Sequence, residues 1–299
     1  MSKWLVTGVA GFVGSNILEE LLKQNQIVIG LDNLSTGKQY NLDQVKQSVS
    51  KEQWSNFSFK LGDIRNVNDC QTAVEGADYV VHQAALIAVQ DSITNPTQYV
   101  DVNINGFINV LESAKQAKVK KFVYASSCAV ENPISTYGIS KAVNEMYANI
   151  QTKINCVGLR YYNIYGPRQD INSPYAAVIP KWVSLMIKNK PVTIYGTGET
   201  TRDFIHVKDI ANSNILAALN DSKGVIKLGT TIPTSLTQLF HLIKNISGSN
   251  SVAVNEPFRS GDILHSCATT PVPYSISLEQ GLTDLIQWYK ENETKNTSN

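Results

Sequence analysis

The sequence predicts a doubly wound parallel α/β sheet of the Rossmann type, followed by a smaller mixed α/β lobe. Three observations carry that reading. Apolar runs bounded by turn signals recur at 4–7, 27–31, 57–61, 79–82, 121–125 and 157–161, and strands that are apolar throughout imply a sheet covered on both faces. Helical periodicity fills most of the intervals, the alternation that produces a parallel sheet. Beyond Gly166-Pro167 the rhythm breaks at Pro167, Pro174, Pro180 and Pro191, where loops outweigh strands and the second lobe begins.

The first unit is the most informative. Leu5-Val6-Thr7-Gly8-Val9-Ala10-Gly11-Phe12-Val13-Gly14 and then Ile27-Val28-Ile29-Gly30-Leu31-Asp32 read as strand, glycine turn, helix from about Phe12, and a second strand ending in an acid. Gly8, Gly11 and Gly14 allow a tight turn, a close approach of backbone N–H groups to a pyrophosphate, and a helix packed hard on the sheet. Glycines at this spacing also occur for packing alone, and it is the flanking strands and the acid that point to a dinucleotide. Asp32 lies 18 residues past Gly14, where a carboxylate accepts from a ribose diol and repels a 2′-phosphate, so the expected cofactor is NAD.

The later elements follow in order. Leu42, Val45 and Val49 share one helical face, so 38–50 is expected to form a short extra helix. The helices at 102–117 and 136–150 carry apolar residues on more than one face, as helices do when they pack on the sheet and again on a second subunit. The helix at 207–219 and the strand at 225–228 return to the first lobe. The dinucleotide domain is therefore read as 1–165 with a return at about 207–229, and the substrate lobe as 166–206 and 230–299. The polar last ten residues, 290–299, lack periodicity and are expected to fray.

Composition excludes several classes. The 299 residues carry a net charge of +1 with no basic stripe for nucleic acid. Cys70, Cys128, Cys156 and Cys267 and the four histidines show no ligand spacing, so neither a metal site nor a disulfide framework is expected and a reducing compartment fits. Residues 1–6 lead straight into the first strand and no apolar run approaches membrane-spanning length. A soluble cytoplasmic protein with no membrane partner is the expectation.

The chemistry is expected between 126 and 141. A strand ending in Ser126-Ser127 places hydroxyls at the carboxyl edge of the sheet, and ten residues after Ser127 comes Tyr137-Gly138-Ile139-Ser140-Lys141. Residues i and i+4 of a helix share a face, so the Lys141 ammonium can approach the Tyr137 phenol. A free phenol titrates near ~10, and a neighbouring cation favours its ionised form as a base. Ser127 can relay a proton or hold a substrate hydroxyl. With 13 tyrosines a Tyr-x-x-x-Lys arises readily by chance; its place after a serine-ended strand gives it weight.

These motifs, with Asp32-Asn33-Leu34-Ser35-Thr36-Gly37, Gly62-Asp63-Ile64-Arg65, His82-Gln83-Ala84-Ala85, Asn103 and Arg160-Tyr161-Tyr162-Asn163-Ile164-Tyr165-Gly166-Pro167-Arg168, resemble the extended short-chain dehydrogenase/reductases, in particular the nucleotide-sugar epimerases. The resemblance runs nearly end to end. The extra helix ending in Gln53-Trp54-Ser55-Asn56-Phe57 and the run Tyr175-Ala176-Ala177-Val178-Ile179-Pro180-Lys181-Trp182 look most like the bacterial UDP-N-acetylglucosamine 4-epimerases. The resemblance implies an NAD site formed by Gly8, Gly11, Phe12, Val13, Gly14, Asp32, Asn33, Ser35, Thr36, Gly37, Asp63, Ile64, Gln83, Ala84, Ala85, Asn103, Tyr137, Lys141 and Tyr162. It implies a UDP-sugar site at Ile87, Ala88, Ser127, Asn163, Ala177, Val178, Tyr195, Arg202, Arg259 and Ser266, with the two arginines on the diphosphate. It also implies Ser127, Tyr137 and Lys141 as catalytic residues of a 4-epimerase working through a transient 4-keto sugar and bound NADH, and a homodimer built as a four-helix bundle.

The chain departs from that pattern at the clipped segment 129–136, at 151–154, at 267–275 and at Ile87-Ala88, where N-acetylhexosamine epimerases favour Gly-Ser. Other readings stay open: a UDP-glucose 4-epimerase, a dehydratase, an epimerase-reductase, or a binding protein impaired by its short loops. Cys128-Ala129 stands where a dehydratase carries its Asp-Glu pair, and Glu131 is displaced and alone. For an epimerase-reductase, Cys128 falls one position early and reads better as a buried, inert thiol.

Overall fold

The computed structural model describes residues 1–171, 176–258 and 263–296. Its strands are β1 (Lys3–Thr7), β2 (Ile27–Asp32), β3 (Phe57–Leu61), β4 (Tyr79–His82), β5 (Lys121–Ser127), β6 (Asn155–Tyr161), β7 (Asn163–Tyr165), β8 (Val192–Tyr195), β9 (Thr201–His206), β10 (Gly224–Leu228), β11 (Pro233–Ser235), β12 (Ala253–Glu256) and β13 (His265–Ser266). Its helices are α1 (Phe12–Lys23), α2 (Gln39–Ser48), α3 (Lys51–Trp54), α4 (Val67–Val74), α5 (Val89–Thr94), α6 (Pro96–Val100), α7 (Gly106–Gln116), α8 (Thr136–Asn149), α9 (Val178–Met186), α10 (Val207–Leu219), α11 (Leu236–Ser247) and α12 (Leu278–Asn296). A π-helical turn at Asp101–Asn105 joins α6 to α7, and a 3₁₀ turn at Cys128–Glu131 follows β5.

The main sheet has the order β10-β6-β5-β4-β1-β2-β3. β1 lies parallel to both β2 and β4, β2 to β3, β4 to β5, and β5 to β6. Every strand expected from the apolar runs of the first unit is present. The chain order reverses between β1 and β4, and at such a switch point the loops leaving the two strands part and open a crevice for ligands.

By contact the chain divides into two units. The first comprises Met1–Tyr161 with Ile210–Ile226, and the second comprises Tyr162–Asp209 with the chain from Lys227 onward. In the first, Leu5, Leu31, Val80 and Phe122 of the strands pack against Ala73 of α4 and Phe107 and Leu111 of α7. The buried His82 ring lies among Phe107 and Phe122, with Nδ1 2.8 Å from the Thr7 hydroxyl. In the second, β11, β9 and β13 run side by side with β7 on β9, and β12 pairs β8. Trp182, Phe204, Phe240 and Leu285 lie in its core. The fully buried Asp203 carboxylate ties this unit together, accepting from Thr230 N and Oγ1, Thr231 N and Ala268 N.

Two local expectations differ from the structure. The helix expected at 38–50 ends at Ser48, with Leu42 and Val45 buried; Val49 turns to extended backbone and α3 starts behind a Ser50–Gln53 capping box. Fraying expected over 290–299 gives way to a helix that continues to Asn296. Tyr289 is buried in the second core with Trp288 packed on it, and Gln287 donates to Glu291, so the polar turns are anchored from the apolar ones. Residues 297–299 lie outside the described residues. Among the described residues no helix is long and apolar enough to cross a membrane.

Burial drives two histidines to unusually low pKa values, His82 to about 3 and His206 to about 4. Both stay neutral in the fold at pH values where the unfolded chain has already bound a proton, so stability falls as pH drops below about 6.5. The loss is about 1.4 kcal/mol per pH unit for each ring until its folded pKa is reached. In urea unfolding at pH 7 and pH 5, His82→Gln should shrink the drop between the two by about 2 kcal/mol. An undiminished drop would show that His82 does not carry it.

Candidate active site

The turn after β1 is built from backbone. Gly8 has φ +67°, and a Cβ there would sit 2.7 Å from Ala84 N, so the turn rests directly on the segment leaving β4. Gly8 N donates to Leu31 O and Gly11 N to Gly8 O. A Cβ on Gly14 would overlap the Gly8 carbonyl. Helix α1 therefore starts against the turn, and its Gly11 cap offers no side-chain acceptor and no acid to the first-turn N–H groups at Phe12 and Val13. That end suits an anion.

Asp32 is 8% exposed. Its Oδ2 accepts from Ala10 N at 2.9 Å and its Oδ1 from Leu34 N at 2.8 Å. Burial raises its pKa, while the backbone donors pull it back. A Cβ on Gly37 would lie 2.9 Å from both carboxylate oxygens, so the turn carrying Ser35, Thr36 and Gly37 folds closely over the acid. Asn33 accepts from Ser35 N and donates to Asp63 Oδ2 at 2.8 Å. The Asp63 carboxylate also takes Arg65 bidentately, and these bonds hold it down at about 2. Ile64 is buried, and Gly106 leaves it room.

After β4, Gln83 N donates to Thr7 O and Ala84 N to the Thr7 hydroxyl. Ala85 leads on to Leu86, where Asn103 closes a clamp, accepting from Leu86 N at 2.8 Å and donating to Leu86 O at 2.9 Å and to Ser140 Oγ at 3.2 Å. The Asn103 amide, expected at the cofactor, is thus engaged in shaping this loop from the π-helical turn, a feature common at functional sites. Ile87 is 71% exposed. Ala88 caps α5, and its carbonyl takes the Tyr99 hydroxyl.

The Ser127, Tyr137 and Lys141 side chains come together. Ser127 ends β5, its hydroxyl accepts from Ala129 N at 3.2 Å, and the same hydroxyl acts on the Tyr137 phenol, favouring its ionised form. The segment 129–136 is short because Ser135 caps α8 through Gly138 N, and Gly138 lets Ala129 and Pro133 press on the helix. Lys141, 3% exposed, donates to Ala125 O at 2.9 Å and holds its Nζ 6.0 Å from the Tyr137 ring centroid. Burial outweighs this proximity: the phenol is pushed up to about 12 and the ammonium down to about 8. The expectation of a phenol lowered by its lysine is therefore corrected for the protein alone. A second correction concerns Cys128, expected to be buried, which is half-exposed at the start of a 3₁₀ turn that has no buried residue.

In the second unit, Tyr162 N donates to Leu228 O, and Asn163 opens β7 with a buried Oδ1 that meets no donor among the described residues. Ala177 caps α9, whose first residue is Val178, and Tyr195 ends β8. Arg202 and Ser266 are register partners across β9 and β13, and Arg202 Nη1 donates to the carbonyls of Thr201 and Leu264. Arg259 lies outside the described residues.

Sequence reasoning passed over a buried cluster beneath Lys141. Glu145, one turn further along α8, accepts from Ser126 Oγ at 2.5 Å and takes Arg160 bidentately at 2.7 and 2.6 Å. It fastens the catalytic helix to β5 and β6. The four-residue step from Lys141 to Glu145 was the available signal.

The cradle fits NAD on the chain's own evidence: backbone packing that admits no side chain at Gly8 or Gly14, a helix start with no side-chain cap, and a buried carboxylate positioned for a diol. Among the described residues no group of His, Cys, Asp and Glu could hold a metal ion. The model of the NAD dependent epimerase/dehydratase family matches residues 4–229. A putative UDP-glucose 4-epimerase of Methanocaldococcus jannaschii is 34% identical over 96% of this chain and 98% of its own length. Among solved structures, a UDP-N-acetylglucosamine 4-epimerase from Methanobrevibacter ruminantium, in complex with UDP-N-acetylmuramic acid, is 34% identical with a TM-score of 0.89, covering 97% of this chain and 99% of that one. A Thermus thermophilus UDP-glucose 4-epimerase in complex with NAD is 29% identical with a TM-score of 0.84, covering 96% and 99%. The chain belongs to the NAD dependent epimerase/dehydratase family and is an NAD-dependent epimerase, an isomerase on the extended short-chain dehydrogenase/reductase fold.

Proposed function

We propose that the substrates are UDP-hexoses inverted at carbon 4, with UDP-N-acetylglucosamine and UDP-N-acetylgalactosamine as the preferred pair. The observation that carries the chemistry is the meeting of Ser127, Tyr137 and Lys141, with the Ser127 hydroxyl acting on the phenol and the Lys141 ammonium 6.0 Å from its ring, in a unit whose glycine turn fits NAD. The turn at Gly8, Gly11 and Gly14, with Asp32, would hold NAD, which would supply a reversible hydride acceptor for carbon 4 of the sugar. Tyr137 takes the proton of the 4-hydroxyl at its phenol oxygen and returns it, and Ser127 holds that hydroxyl. Lys141 keeps an ammonium near the phenol, but with burial holding Tyr137 at about 12 the ionised form needs positive charge beyond Lys141.

The second unit serves the nucleotide sugar in this reading. Asn163 keeps an unmet acceptor for a ligand donor. Arg202 and Arg259 suit a diphosphate through bidentate bonding, with Tyr195, Ala177, Val178 and Ser266 beside the sugar and uridine. The N-acetylated pair is supported by the extra helices α2 and α3, by the sequence 175–182, and by likeness to the Methanobrevibacter ruminantium enzyme. UDP-glucose is the second reading, supported by the Methanocaldococcus relative at the same 34% identity. A cytoplasmic location accompanies either.

We also infer a homodimer. On α8 and its C-cap, Ile139, Met146 and Ile150 recur at seven and four residues and are 49%, 71% and 69% exposed. Such a seam suits a second copy of the same helix pair, 102–117 and 136–150, in a four-helix bundle.

In a proton-NMR time course with no added NAD, UDP-N-acetylglucosamine should yield the galacto anomeric signal faster than UDP-glucose does. The reverse order would move the preference to the plain hexose, and no conversion of either, even with NAD supplied, would overturn both hexoses as substrates. Tyr137→Phe should lose roughly 10²- to 10⁴-fold in turnover while retaining NAD; unchanged turnover would remove Tyr137 from the mechanism. Met146→Glu should halve the mass seen by sedimentation, and a monomeric parent protein would refute the dimer.

A further inference from the structure

Asn214 on α10 is polar and 0% exposed. Its Nδ2 donates to the Tyr161 hydroxyl at 2.8 Å, that hydroxyl reaches Gln83 Oε1 at 3.1 Å, and Gln83 Nε2 donates to Asn214 Oδ1 at 3.1 Å. The three side chains close a hydrogen-bonded ring. The remaining Nδ2 hydrogen goes to Ile210 O at 2.8 Å, which pins Asn214 to its own helix. The ring therefore joins the ends of β4 and β6 to a helix far along the chain.

Its position relates it to the cofactor. Gln83 is the first residue beyond β4, with its N–H on Thr7 O, and the following Ala84 N lies where a Cβ on Gly8 would strike it. Tyr161 is the register partner of Ser127. A buried ring of amides and a phenol adds little net stability over apolar side chains of the same shape, but it admits one arrangement of its members and penalises any displacement with unmet polar groups. Gln83, read from sequence as a cofactor contact, has its Oε1 and one Nε2 hydrogen engaged in this ring.

We propose that Asn214 is a positioning residue for the cofactor: through Gln83 and Tyr161 it holds the segment Gln83-Ala84-Ala85 against the glycine turn in the spacing that bound NAD requires. Opening the ring frees that segment and loosens NAD.

The test uses the full-length protein as purified, following NAD release after dilution together with the melting temperature. Asn214→Leu and Tyr161→Phe should each speed release at least tenfold. The double variant should release NAD no faster than the faster single, because one ring is lost only once. Release within twofold of the parent for both variants, with only the melting temperature lowered, would overturn the proposal and leave a packing role. A double variant whose effect is the product of the two singles would overturn it as well. If Asn214→Leu does not fold, Tyr161→Phe, which loses a single oxygen atom, decides the question by its release rate.

Discussion

The first unit depends on backbone packing directly on backbone at the β1 turn. Gly8 meets the chain at Gln83 and Ala84 on one side, and Gly14 meets Gly8 on the other. Three consequences follow from that contact. Helix α1 begins close enough for its N–H groups to face a ligand, the loops leaving β1 and β4 come as near as two chains can, and Asp32 receives Ala10 N from the same turn. A methyl group at either glycine would separate the parts, so the sequence pattern is a steric requirement before it is a binding signature.

The fold was legible because its signals are local. Apolar strands of four to seven residues, separated by periodic helices, locate the sheet without any knowledge of what pairs with what. The glycine spacing and Asp32 are legible for the same reason, as are Ser127, Tyr137 and Lys141, where a strand end and a four-residue helical step define the geometry. The C-terminal helix was misread over 290–296 because its support comes from Trp288 and Tyr289 packing on the second unit's core, a tertiary contact invisible to a local polarity count.

What escaped the sequence is non-local. Nothing near Asn214 announces that it closes a ring with residues 131 and 53 positions away. Nor does Asn103 announce that its amide grips Leu86. Both amides bond to backbone or side chains of distant segments, and single-sequence patterns carry no record of such pairings. Candidate ligand contacts and the residues that shape the loops around them look alike in a motif. Within the protein the Asn103 amide bonds Leu86 and Ser140 and the Gln83 amide bonds Tyr161 and Asn214, whereas the buried Asn163 oxygen meets no donor among the described residues.

The electrostatics of Tyr137 and Lys141 show what the site gives up. Burial disfavours the charged form of each, so the protein alone holds a neutral phenol beside an ammonium depressed to about 8. The folded-state pKa of Lys141 lies below its ordinary value near 10.5. The unfolded chain therefore binds the proton more tightly, and holding it in the fold costs on the order of 3 kcal/mol below pH 8, a cost that fades as pH rises toward 10.5. Stability would favour an apolar side chain at that position. Its retention, with one donor spent on Ala125 O and the rest aimed beside a phenol, is a local conflict of the kind expected where function sets the residue. The same burial makes the pair responsive, because a positive charge brought to the phenol in a dry site shifts its ionisation far more than it would in water.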